Sequence, residues 1–108
     1  MASEQQFVDF VLAQIDIPGQ LSYKKMFGEY GLYCGNKLFA LVCDNKLFIK
    51  ATLPGRQYAA GFTEAAPYPG ARPSFLIEAK LEDRIWLREL VLATVHALPE
   101  PKVKKKKQ

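Results

Sequence analysis

The sequence predicts an α+β domain, α-β(3)-α-β(2)-α, in which helices cover an antiparallel sheet. Three observations predict it: apolar residues at helical spacing near the N-terminus, a β-rich middle broken by turn residues, and a second helical run after residue 83. At 108 residues the chain has the length of one domain. Folding of such a chain buries roughly two thirds of the unfolded surface, so one core is expected.

Each element follows from local chemistry. Ser3 and Gln6 stand at capping-box spacing, and Phe7, Val8, Phe10, Val11, Leu12 and Ile15 then share a broad helical face, predicting a helix over residues 4–15. Asp16, Pro18 and Gly19 stop it, because proline disfavours a helical residue before it. Residues 21–50 read as an antiparallel meander of three strands, punctuated by Gly28, Gly31, Gly35-Asn36 and Asp44-Asn45. Two segments echo each other, Cys34-Gly35-Asn36-Lys37-Leu38-Phe39-Ala40 and Cys43-Asp44-Asn45-Lys46-Leu47-Phe48-Ile49. Each places two residues tolerant of positive φ between apolar strands, as tight hairpins require. The run from Leu38 to Cys43 lacks polar alternation and is expected to be buried on both faces, one under a helix and the other under a second helix or a partner. A short helix is predicted over residues 53–60, a weak strand near 62–68, a stronger one over 74–79, and a last helix, with Glu82 and Asp83 at the positive end of its dipole, running to Leu98.

The net charge of +4 comes entirely from residues 99–108, where Lys102, Lys104, Lys105, Lys106 and Lys107 stand against Glu100; residues 1–98 carry ten basic and ten acidic side chains. The domain is therefore expected to span 1–98, with 99–108 a disordered lysine-rich tail. A neutral body argues against a broad phosphate-binding face, whereas five lysines could attract nucleic acid by counterion release. Met1-Ala2-Ser3-Glu4 has neither the basic start nor the apolar run of a secretory signal, and no stretch approaches a membrane span. A cytoplasmic protein with no membrane partner is expected.

The residue inventory contains no complete catalytic centre. Cys34 and Cys43 read as structural free thiols: with Cys34 opposite Lys37 across a two-residue turn, Cys43 would face Gly28, far from a disulfide partner. A single histidine, His96, and no close cysteine pair argue against a metal site. No cofactor site is expected either. Gly28-Glu29-Tyr30-Gly31 joins strands and lacks the lysine and helix of a phosphate loop. Tyr23, Phe27, Tyr30 and Tyr33 lie among Lys24 and Lys25; core packing is the expected role, with a base-stacking platform the alternative. Arg84 and Arg88, one helical turn apart, are candidate contacts for an acidic partner.

The segment from Met26 to Tyr33, followed by Leu38-Phe39-Ala40-Leu41-Val42 and Leu47-Phe48-Ile49-Lys50, resembles the N-terminal domain of the TfoX/Sxy family. Weaker matches continue through Arg56, Gly61, Pro67-Tyr68 and the Trp86 helix. The resemblance implies the same element order and a role in regulating competence genes alongside a transcription factor; the chain departs from the family's two-domain regulators, and a stand-alone form without the C-terminal domain is expected. It brings no catalytic residues. Phe27, Gly28, Gly31 and Leu32 are expected to preserve the hairpin, and Lys50 to pair with a carboxylate or contact a partner. Three functions follow as expectations. The first is a non-enzymatic regulatory or protein-interaction domain, whose partner could be transcription machinery or a second copy in a homodimer. The second is a nucleic-acid accessory protein using Lys24, Lys25, Arg84, Arg88 and the tail, and the third is a small enzyme with a pocket built from Glu29, Tyr30, Lys50 and Glu78.

Overall fold

The structure, a computed structural model, describes residues 3–26 and 29–99. Its elements are α1 (Gln5–Ile15), β1 (Leu21–Met26), β2 (Glu29–Cys34), β3 (Lys37–Cys43), β4 (Lys46–Lys50), α2 (Leu53–Arg56), β5 (Glu64–Ala65), β6 (Ser74–Ile77) and α3 (Arg84–Ala97). All six strands join one antiparallel sheet in the order β1-β2-β3-β4-β6-β5. The α+β class and antiparallel sheet are as expected. The stretch before α2, however, holds four strands rather than three, and the second helix and fifth strand are shorter than the sequence pattern predicts.

Turn chemistry sets the meander. Asp44 and Asn45 both adopt positive φ (55° and 56°), the two-residue arrangement whose twist matches antiparallel strands. Cys34 pairs with Lys37 as expected, but a bulge then shifts the register, so that Leu32 pairs with Ala40 and Tyr30 with Val42. Phe39 is the extra residue. Strict alternation would put Tyr30 opposite Leu41, so the expected pairing of Cys43 with Gly28 rests on a register that the bulge overturns. Gly28 itself lies, with Phe27, outside the described residues.

The bulge turns both Phe39 and Ala40 toward the helices. With Tyr30, Leu32, Val42, Leu47, Ile49, Phe75 and Ile77 they form the sheet's half of the core, against Val8, Val11 and Ile15 of α1 and Leu87, Leu90 and Val91 of α3. Cys34 belongs to this face and Cys43 does not; both thiols are free and buried.

The helices are held by few but specific polar contacts. The expected capping box does not form: Glu4 is the N-cap of α1 without a side-chain bond. Ser3 turns instead to Glu29, whose Oε1 accepts from the Ser3 amide (2.9 Å) and hydroxyl (2.6 Å). Asn45 N donates to Ser3 Oγ (2.9 Å), Asn45 Oδ1 accepts from Glu4 N (2.8 Å), and Glu29 Oε2 accepts from Asp44 N (3.1 Å). This clasp ties the residues before α1 to the β3–β4 turn. At the other end of α1, Arg84 and Arg88 of α3 donate to the terminal carbonyls of Ala13 (3.0 Å) and Ile15 (3.1 Å), which have no partner within the helix. Both guanidinium groups also reach the Asp16 carboxylate, at 3.4 and 3.2 Å.

Helix α2 meets α3 through Gly55, which is buried. A Cβ there would stand 2.9 Å from Thr52 Oγ1, the N-cap acceptor of α2, and 3.3 Å from Thr94 Oγ1 of α3. Gly55→Ala is expected to overpack this junction and cost about 1–3 kcal/mol, read as a lowered urea midpoint with unchanged slope.

Candidate functional site: an uncovered face of the sheet

Paired residues share a face, so the register assigns every strand residue to one of two sides. Opposite the helices lie Lys24 and Met26 of β1, Glu29, Gly31 and Tyr33 of β2, Leu38, Leu41 and Cys43 of β3, Phe48 and Lys50 of β4, and Ser74 and Leu76 of β6. Leu38 and Leu41 are neighbours on this side because the bulge separates them by three residues instead of two. Both are half-buried, where the sequence pattern predicts burial on both faces.

No helix crosses this face among the described residues. Its partial cover is the connection between β5 and β6, whose Pro67 and Tyr68 stand beside Leu38 and Leu41. Two cavities, of about 470 and 440 Å³, share these four residues and together make one trough. At one end are Phe48, Lys50, Arg72, Ser74 and Leu98; at the other are Met26, Glu29 and Cys43. Gly31 sits between the β1 and β3 side chains. A Cβ there would come within 2.9 Å of Met26 Cε and 3.0 Å of Leu38 Cδ1, so any larger residue would displace both.

The trough is electrically uneven. Burial lowers the Lys50 pKa from its ordinary value, and no hydrogen bond or ion pair to Lys50 occurs among the described residues. The cavity that contains Lys50 and Arg72 has no carboxylate in its lining. At the far end, among the described residues, Glu29 accepts only from neutral donors, so its charge has no counterion in the clasp. Burial, followed by the negative charges of Glu29 and Asp44, raises the Cys43 pKa. For Cys34 burial again raises the pKa, against a smaller opposing effect of Lys37. Neither thiol has the electropositive, accessible setting of a reactive one.

The sequence-derived candidates are dispersed. Lys24 and Lys25 point to opposite sides of edge strand β1, where charges also discourage pairing with another sheet. Lys24 Nζ lies 5.5 Å from the centre of the Tyr33 ring. Tyr23 packs edge-on against Tyr30, 5.6 Å between ring centres, on the helix side. Arg84 and Arg88 are engaged with α1. Leu32 is fully buried in the core. Glu29 lines one end of the trough and Lys50 the other; Tyr30 borders the Glu29 end but belongs to the helix-side core, and Glu78 lines neither cavity. Lys102, Lys104, Lys105, Lys106 and Lys107 lie outside the described residues. No group of three or more His, Cys, Asp or Glu residues that could hold a metal ion occurs among the described residues. None of the helices there is long and apolar enough to cross a membrane.

The sheet-and-helix arrangement with this motif defines a class. The model of the TfoX N-terminal domain matches residues 12–98, and the chain belongs to that family. It is also 33% identical over 107 residues to an uncharacterised 12.7 kDa protein in the trpE 5′ region of Spirochaeta aurantia, covering 99% of this chain and 93% of the relative.

The burial of Lys50 has a consequence for stability. Because its folded pKa is lowered, the unfolded chain holds this proton more tightly between the folded value and the ordinary value of 10.5. The cost is therefore full below the folded pKa and vanishes as pH rises to the ordinary one. Lys50→Met is expected to raise the urea midpoint at pH 7, by well under the ~1.4 kcal/mol of a full pKa unit because the group stays partly solvated, and the gain is expected to shrink toward pH 10. An equal gain at both pH values would assign the effect to packing instead.

Proposed function

We propose that this chain is a non-enzymatic protein-interaction domain, acting by complementary burial of a partner protein on the uncovered sheet face. The observation that carries the reading is the trough itself: half-buried Leu38 and Leu41, flanked by Pro67 and Tyr68, on the side of the sheet that no helix crosses among the described residues. An apolar surface rimmed by polar groups is what a partner's side chains can desolvate, whereas catalysis needs convergent reactive groups. Glu29, the carboxylate nearest the trough, is held by Ser3 and Asp44 as a structural clasp. Membership of the TfoX N-terminal domain family supports a regulatory setting, with transcription machinery as the partner class to test first.

The test uses the full chain as bait in three forms: native, Leu41→Asp on the trough floor and Lys25→Glu, exposed on the other side of the edge strand. A partner retained in moderate salt by the native and Lys25→Glu forms, and weakened at least tenfold by Leu41→Asp, is the expected result. Equal retention by Leu41→Asp, with its fold verified by circular dichroism, would remove this face as the interface.

A further inference from the structure

We infer that the partner segment seated in the trough carries a carboxylate, which pairs with Lys50 and Arg72 while adjoining apolar side chains pack on Leu38 and Leu41. The inference rests on the reading of the uncovered face as an interface and adds the chemistry of what it receives. Lys50 is half-buried at the end of β4 and has no counterion among the described residues. A desolvated ammonium without a partner is a cost to the free protein, and an incoming carboxylate offsets it with a charge-assisted hydrogen bond. Arg72, exposed at the same end, adds a second cation with a planar fork suited to a carboxylate.

Charge complementarity selects the occupant. The chain's own residues 99–108 carry five lysines against the single carboxylate of Glu100, a net positive charge that the Lys50 end repels. A nucleic-acid strand brings phosphates along its whole length and would meet Glu29 at the other end, over an apolar floor that offers no further cations. A peptide with one or two acidic residues beside apolar ones fits both ends. The two cavities together have a volume in the range that receives a few side chains.

A phage library of random twelve-residue peptides, selected on the immobilised full chain at physiological salt, tests this. Enriched sequences are expected to share Asp or Glu next to apolar residues. In fluorescence anisotropy, Leu41→Asp is expected to abolish their binding, and Lys50→Gln to weaken it about tenfold. Replacing the acidic residue by its amide is expected to weaken binding to the native chain similarly but to add little on the Lys50→Gln chain, the signature of a direct pair. Enriched peptides without acidic residues, lost on Leu41→Asp but indifferent to Lys50→Gln, would overturn the carboxylate pairing and leave the docking face standing. Peptides indifferent to Leu41→Asp, or no enrichment at all, would overturn both. Self-association of the chain that excludes peptide and survives Lys50→Gln would assign the trough to a second copy and overturn the pairing.

Discussion

One extra residue in β3 organises this molecule. Without the bulge at Phe39, strict alternation would set Phe39 and Leu41 on one face and Leu38, Ala40 and Val42 on the other. With it, Phe39, Ala40 and Val42 all enter the helix-covered core, and Leu38 and Leu41 become neighbours outside it. In the register set by Cys34 and Lys37, Phe39 faces the helices with or without the bulge; what the bulge changes is that Ala40 and Val42 join it in the core while Leu41 moves out beside Leu38. The same displacement supplies the floor of the trough, so core and candidate site have a common origin.

The helix side was largely legible in the sequence. Val8, Val11 and Ile15, and later Leu87, Leu90, Val91 and Thr94, recur at helical spacing and are all buried. Asp44-Asn45 announces its hairpin by residue type alone. What escaped has physical reasons. Strand β1 reads weakly because an edge strand with Ser22, Lys24 and Lys25 lacks a continuous apolar stripe. The bulge is invisible in an all-apolar run, where either register looks equally buried. Ser3 has capping-box spacing, but Glu29 offers it a charged acceptor from 26 residues away. Arg84 and Arg88, which sequence spacing alone marks as mutually repelling, are reconciled by Asp16, 68 and 72 residues distant.

The family motif divides its labour along the same lines. Leu32 belongs to the core, Glu29 holds the clasp between the N-terminal residues and the β3–β4 turn, and Gly31 leaves space for Met26 and Leu38 on the trough side. Lys50 was marked by sequence for a carboxylate or a partner. No carboxylate of the described residues reaches it, which is why the trough acquires a chemical direction. Arg72 carried no sequence signal and Tyr68 only a weak family match, because a proline-rich connection shows its importance only once it lies over a sheet.

The two-sidedness of β3 can be measured at adjacent positions. Leu41 and Val42 are consecutive residues of similar character, half-buried on the uncovered face and fully buried on the helix face respectively. Chemical denaturation of Leu41→Lys and Val42→Lys, compared with the native chain, isolates the face as the variable. A cost below about 1.5 kcal/mol for Leu41→Lys, with Val42→Lys unfolded or destabilised by more than about 3 kcal/mol, is the predicted result. Equal losses at the two positions would contradict an uncovered face and, with it, the site built on that face.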